Sequence, residues 1–221
     1  MSTRQLYTFD LVVNDTTQEC YSESRVQLSI HPEETPELSY ARVLAYAHCL
    51  KYSPTLSDDS LEAKNPTLYS RDVSGEYLLW GHVGEVHKKT LKVILRLNSS
   101  LVRFYFFAPT QIATFCHLMR GSKQDWVSQY EFFLFDEHQL TQLATCGFER
   151  RNTLEIAFLE DILYLTKDGE TLEGPIKQLD MWEQFQESLK HGIAEGTTTE
   201  PLNSEPLNTE PLNRDYLVEH R

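Results

Sequence analysis

No apolar run in this 221-residue chain approaches the roughly 20 residues a membrane-spanning helix needs. A membrane role is therefore not expected. The first residues, Met1 to Tyr7, lack the apolar core of a signal peptide, and the cytosol is the expected location. Cysteine is sparse. Cys20, Cys49, Cys116 and Cys146 lie too far apart for a Cys-x-x-Cys pair, which excludes a zinc knuckle and a thioredoxin-type motif. Four free thiols are expected in a cytosolic protein, with Cys49 and Cys116 acting as small apolar fillers in helices. A glycine-rich phosphate loop is missing too. Gly81-His-Val-Gly84 has neither the length nor the Lys-Ser pair of a P-loop. Ser99-Ser100 has no neighbour suggesting a triad. Of the eight histidines only His82 and His87 are close together, which argues against His-rich metal transport.

Positive charge is also short. The net charge is −13. Residues 181–221 hold eight acidic and three basic side chains, and the rest of the chain holds 25 acidic and 17 basic ones. An acidic body is a poor match for a phosphate backbone, so nucleic acid is not an expected partner.

What is present is an ordered alternation of strand and helix signals. Residues 5–13 alternate, with Tyr7, Phe9, Leu11 and Val13 on the apolar side. A turn at 14–17 leads to a second strand over 19–30, predicting a long antiparallel hairpin. Thr35 caps a helix over 36–52 that starts on Pro36 and presents Leu38, Ala41, Ala45, His48, Cys49 and Tyr52 on one face. Residues 54–75 show no period and are expected to form a loop. Tyr77 to Trp80 reads as a buried strand, breaks at Gly81 to Gly84, and feeds a helix over 85–98 with Lys88, Lys92 and Arg96 on its polar side. Further strands are predicted at 101–107, 130–135, 151–158 and 162–166. Helices are predicted at 109–119, after Asp136, and at 180–191 with Met181 or Trp182, Phe185 and Leu189 inward.

The order β-β-α-β-α-β-α-β-α-β-β implies an α/β fold, a mixed central sheet flanked by helices, with the 77–83 strand inside it. The end of the chain differs. Thr199-Glu-Pro-Leu-Asn, Ser204-Glu-Pro-Leu-Asn and Thr209-Glu-Pro-Leu-Asn repeat one five-residue unit. Recurrent proline forbids a continuous helix, so 192–221 is expected to be a disordered tail. The domain reading is 1–180, a short helix at 181–191, then the tail.

His31-Pro-Glu-Glu-Thr35 with Arg42-Val-Leu-Ala-Tyr46, and Leu79-Trp80, Gly84 and the helix carrying Lys92, together resemble the YaeQ family of bacterial cytosolic proteins. The resemblance covers about residues 4–180. That family is similar in fold to the PD-(D/E)XK nuclease superfamily. The resemblance implies a site with a carboxylate from the first helix region, two acids on a central strand and a lysine, together holding a divalent cation. Hard oxygen ligands suit Mg²⁺, which polarises a phosphoryl group and generates hydroxide. Carried over by position, Glu34 and Lys92 match the pattern. The strand acids fall on Leu78 and His82, so both are missing.

Three readings stay open. The first is a degenerate nuclease-like protein with no cofactor, working through an unknown protein partner. The second is a Mg²⁺- or Mn²⁺-dependent phosphodiesterase rebuilt from Glu34, Glu76, His82 and Lys92. Asp72 or Glu85 are substitute acids in this reading, and Glu34 with His82 and His87 is a Zn²⁺ or Mn²⁺ variant of it. The third is a scaffold that uses the repeat tail to bind protein or peptide.

Overall fold

The computed structural model describes residues 4–58, 62–97, 99–120 and 126–194. Its strands are β1 (Gln5–Asp15), β2 (Cys20–Ile30), β3 (Thr55–Leu56), β4 (Leu68–Arg71), β5 (Tyr77–Val83), β6 (Leu101–Phe106), β7 (Glu131–Phe135), β8 (Arg151–Leu159), β9 (Ile162–Lys167) and β10 (Glu170–Gln178). The helices are α1 (Pro36–His48), α2 (Lys88–Ile94), α3 (Pro109–Met119), α4 (Glu137–Thr145) and α5 (Met181–Ala194), with short 3₁₀ turns at Leu50–Tyr52 and Val127–Gln129. All ten strands join one mixed sheet in the order β2-β1-β8-β9-β10-β7-β6-β5-β4-β3.

The long hairpin is present, with Tyr7 paired to Leu28 and Phe9 to Val26. The α/β architecture is the expected one. Residues 54–75 depart from expectation: they contain β3 and β4 as well as loop. Two- and four-residue strands are too short to show a period of two. Strand β10 was missed for another reason: Gly174 and Pro175 interrupt its pattern. Residues 170–175 pair with β9, whereas Ile176 to Gln178 pair with β7. Proline at this crossover lets one strand belong to both halves of the sheet. Gly174 has a packing reason, because a Cβ there would lie 2.8 Å from Gln139 Oε1 and 3.1 Å from Asp136 Cβ.

Helix boundaries also shift. The first helix ends at His48 and finishes in the 3₁₀ turn, and the second spans 88–94 rather than 85–98. The last runs to Ala194, past its expected end at 191, with Met181 buried and Trp182 46% exposed. From residue 195 on, the tail expectation lies outside the described residues.

Two apolar layers flank the sheet. On one side α1 and α4 pack with Phe9, Leu28, Leu79, Val83, Tyr105 and Ile156. On the other, α2, α3 and α5 pack with Trp80, Phe104, Phe106 and Phe132. Strands β6 and β7 are parallel and place Phe104 beside Phe132 and Tyr105 beside Phe133. Those rings stack at 5.0 and 5.2 Å, one pair on each side of the sheet.

The first helix is not amphipathic, as its sequence had suggested; every residue from Ser39 to Ala47 is buried. Sheet curvature is the cause. Helix α1 touches β1, β2, β3, β4 and β5, and β2 meets β3 although they end opposite edges of the strand order. The sheet therefore curls round α1, which is enclosed on nearly every side.

Candidate functional site

The His-Pro motif forms the entry to α1. Glu34 N–H donates to the His31 carbonyl at 2.9 Å, which turns the chain. Thr35 then caps the helix by accepting from Leu38 N–H, and Pro36 occupies its first turn. This geometry points the Glu34 side chain back into the protein. Its two oxygens each accept from Arg42 Nη1 at 2.8 Å, and Oε1 also accepts from the Ser39 hydroxyl at 2.9 Å. The Arg42 and Glu34 side chains are only 2% and 1% exposed.

Arg42 has more than one partner. Nη1 also donates to the Ser29 carbonyl at 3.3 Å, and Nη2 donates to the Ser57 carbonyl at 3.0 Å. Ser29 belongs to β2, at one edge of the sheet. Ser57 directly follows β3, at the other edge. Arg42 thus fastens the two edges of the curled sheet across α1, and Glu34 neutralises the charge this requires. Two buried ions are tolerated only when paired and hydrogen-bonded, and this pair is both.

The remaining candidates do not join Glu34. Strand β5 alternates sides. Leu79 and Val83 face α1, and Trp80 faces α2 and α3. His82 lies on the Trp80 side, 6.3 Å from the Phe104 ring. Glu34 is bound to α1, so it and His82 lie on opposite sides of the sheet. His82 Nε2 is 2.9 Å from the Glu85 carbonyl oxygen, a contact that needs a proton on Nε2. Its Nδ1 is buried with no partner among the described residues. Burial lowers the imidazole pKa, so the ring is neutral at pH 7.

Leu78 does not share a regular face with His82. Arg71 pairs with Tyr77 and Ser70 with Leu79, so Leu78 is the extra residue of a β-bulge and is 43% exposed. A bulge breaks the two-residue period on which the sequence reading relied. Glu76 precedes β5 in an exposed turn, where its N–H donates to Asp72 Oδ1 at 2.9 Å. The Ser74 hydroxyl and nearby backbone N–H groups hold the Asp72 carboxyl below its ordinary range. Lys92 is exposed on α2, and Glu85 pairs loosely with exposed His87 at 3.9 Å. Among the described residues no three His, Cys, Asp or Glu side chains are grouped so as to hold a metal ion.

Two features were not read from the sequence. One is a polar cluster at the C-terminal end of α1. His48 Nδ1 and Cys49 Sγ lie 2.9 and 3.1 Å from the Tyr105 hydroxyl, and Arg103 Nε donates to Glu131 at 2.7 Å. Desolvation, with the Arg103 cation close by, pushes the His48 pKa down to about 3, and burial pushes the Cys49 thiol up. The other feature is a cavity of about 540 Å³ at the C-terminal ends of β6 and β7, lined by Phe107, Leu134, His138 and Lys177 among others. Helix α3 leaves β6 toward one side of the sheet and α4 leaves β7 toward the other. Crevices at such switch points are where open α/β sheets bind ligands. The residues that line it come from three separate segments, so no local motif marked it. The signal that was available is Pro109 and Asp136 opening successive helices.

A family model described as "YaeQ protein" matches residues 2–175. Two solved structures are similar to this chain. The YaeQ protein from Pseudomonas syringae is 19% identical with a TM-score of 0.68, over 80% of this chain and 96% of that one. The YaeQ protein from Xanthomonas axonopodis pv. citri is 17% identical with a TM-score of 0.68, over 80% of this chain and 98% of that one. At this identity the likeness carries the fold alone. No curated protein sequence matches the chain. No helix among the described residues is long and apolar enough to cross a membrane.

Proposed function

The chain belongs to the YaeQ family, and from that premise we propose that it is a non-catalytic member that acts by binding a partner. The observation that carries this reading is the state of Glu34. Both of its oxygens are taken by Arg42, a third donor comes from Ser39, and the side chain is 1% exposed. A carboxylate in that setting has no lone pair directed at solvent-borne Mg²⁺. Binding a metal there would strand Arg42 as an unpaired buried cation, at a cost of several kcal/mol. The neutral His82 ring on the far side of the sheet is a poor substitute for a second hard oxygen ligand.

The test is metal-dependent stabilisation of the full chain. A site with a dissociation constant near 10 µM, given about 1 mM Mn²⁺, would stabilise the fold by roughly 2.7 kcal/mol. For a chain of this size that raises the melting temperature by about 5–10 °C. The expected result is a shift within error of zero for Mg²⁺ and Mn²⁺. Hydrolysis of a labelled single- or double-stranded oligonucleotide should also stay at the no-protein rate. A shift of several degrees that disappears in His82→Ala would overturn the proposal in favour of the rebuilt phosphodiesterase.

A further inference from the structure

Strand β2 ends the strand order, so one of its long sides has no neighbouring strand. It runs 11 residues in continuous register with β1. The N–H groups of Thr8 and Thr16 donate to the Arg150 and Phe158 carbonyls on the β8 side. Even-numbered residues of β1 therefore face β8, and odd-numbered ones face β2. Their partners in β2 are even-numbered, as in Phe9 with Val26 and Leu11 with Ser24. The odd-numbered residues of β2 thus direct their backbone groups away from the sheet. The Ser29 carbonyl bears this out, since it accepts from Arg42. The N–H groups of Tyr21, Glu23, Arg25 and Gln27 have no partner among the described residues.

Sheet edges are ordinarily blunted by shortness, proline, lysine, a bulge or an inward-pointing charge. The opposite edge follows this rule, because β3 is only two residues long. Strand β2 has none of these devices. It is long and unbulged, contains neither proline nor lysine, and turns only uncharged side chains toward α1. Arg42 ties it toward β3 at Ser29, far from Tyr21. Ser22 and Ser24 point toward α1 yet are only half-buried, so the Tyr21 end is open. A depression of about 250 Å³ lies beside this stretch, lined by Asp10, Val12, Glu23 and Arg25 among others. The strand carries two charges of opposite sign, Glu23 and Arg25. Glu23 has no ion pair among the described residues. Arg25 holds Asp10 through Nε alone, at 2.6 Å, which leaves both terminal nitrogens for another carboxylate.

We propose that β2 pairs antiparallel with β2 of a second copy of this chain, about a two-fold axis at Ser24. Glu23 then opposes the partner's Arg25, Arg25 opposes the partner's Glu23, and Tyr21 opposes the partner's Gln27. All of these are outward-directed residues, so their free N–H and C=O groups bond across the axis. Charge selects the register. Moving the axis by one residue sets Glu23 against the partner's Glu23, or Arg25 against the partner's Arg25, and like charges directly opposed are destabilising. Moving it further shortens the ladder or runs into Ser29, whose carbonyl Arg42 already holds. Such an interface is isologous and uses up the edge, so assembly stops at two chains. An edge contact of this length buries less than about 1,200 Å², so the dimer forms as protein concentration rises. This inference does not rest on the non-catalytic reading.

Sedimentation equilibrium of the full chain, from micromolar to several hundred micromolar protein, tests it. A monomer–dimer equilibrium is expected. Glu23→Arg or Arg25→Glu alone should weaken it at least tenfold, because each sets like charges against one another. The swap E23R/R25E should restore it to within threefold, which a misfolded variant could not do. Cross-linking gives a second reading. Ser24 and its copy form a non-hydrogen-bonded pair with Cα atoms about 4.5 Å apart, inside the roughly 4.4–6.8 Å span of a disulfide. Ser24→Cys should therefore give a disulfide-linked dimer under mild oxidation. Ser22→Cys, which opposes the partner's Val26, should give no more than the unsubstituted chain. A monomer at every concentration would overturn the proposal, as would species larger than a dimer. So would a dimer indifferent to both charge reversals, a swap that fails to restore it, or equal cross-linking through positions 22 and 24.

Discussion

Replacing Glu34 by glutamine separates a structural carboxylate from a chemical one. The substitution keeps the shape and one carbonyl acceptor but removes the charge that balances Arg42. Arg42 would stay buried, its side chain 2% exposed, still tied to the Ser29 and Ser57 carbonyls and without a counter-ion. Breaking one partner of a buried pair costs about 3–5 kcal/mol. The remaining amide oxygen places this case near the lower end, at roughly 3 kcal/mol, or a fall of about 6–12 °C in melting temperature. Urea unfolding followed by tryptophan fluorescence measures it. Trp80 and Trp126 sit in the α2/α3 layer, away from the substitution, so they report global unfolding. Arg42→Met should cost more, because two backbone carbonyls lose their donor as well. In the double variant the two effects should fall short of additivity by about 2 kcal/mol. The reasoning fails if Glu34→Gln leaves stability within about 0.5 kcal/mol or raises it, the behaviour of an acid held for chemistry at the expense of stability.

Three other outcomes follow from the same structure. His48 has its pKa lowered to about 3 in the fold, against about 6.5 when unfolded. Between those values the unfolded chain binds a proton that the folded chain excludes. Stability from this group is therefore full above pH 6.5 and lost as pH falls toward 3, at under ~1.4 kcal/mol per pH unit since the ring keeps some solvent contact. Urea midpoints at pH 7.0, 5.5 and 4.5 should fall more steeply for the unsubstituted chain than for His48→Gln, and parallel slopes would refute it. A Cβ on Gly81 would lie 2.6 Å from Leu68 Cγ, so Gly81→Ala should lose about 1–3 kcal/mol by overpacking; an unchanged melting temperature would show that β4 shifts freely. Cys20 and Cys146 are accessible while Cys49 and Cys116 are buried, so a thiol reagent should titrate two groups in the native chain and four in denaturant.

Much of the fold could be read locally. Thr35-Pro36 and Asp136 act as helix starts because capping is a property of a few adjacent residues, and both accept the predicted N–H. The β1–β2 pairing follows from two long alternating runs and a short turn. What could not be read is set by tertiary context. The curl of the sheet buries α1 all round, so its apparent polar face, Ser39 and Arg42 included, is interior. The bulge at Leu78 cannot be seen in Tyr77-Leu-Leu-Trp80, because it depends on how β4 pairs with it. The site reading failed to unite its residues for the same reason. Glu34 and the position held by His82 belong to one pattern in sequence, but nothing in sequence says that a ten-stranded sheet separates them.

That separation explains how a chain can keep half of a motif. If Glu34 served only a metal held jointly with residues 78 and 82, its carboxylate would have no use once those positions are Leu and His. The fold gives it an independent one. The partner of Glu34 is Arg42, and the partners of Arg42 are the two edges of the sheet. None of these contacts involves β5. Leu78 is exposed at a bulge, where an acid or an aliphatic side chain is accommodated alike. His82 satisfies one nitrogen with a backbone carbonyl three residues away. Changes at 78 and 82 therefore leave the clasp intact, whereas loss of Glu34 would leave a guanidinium buried without a counter-ion. Stability alone is sufficient reason for glutamate at position 34, and its presence is no evidence of catalysis.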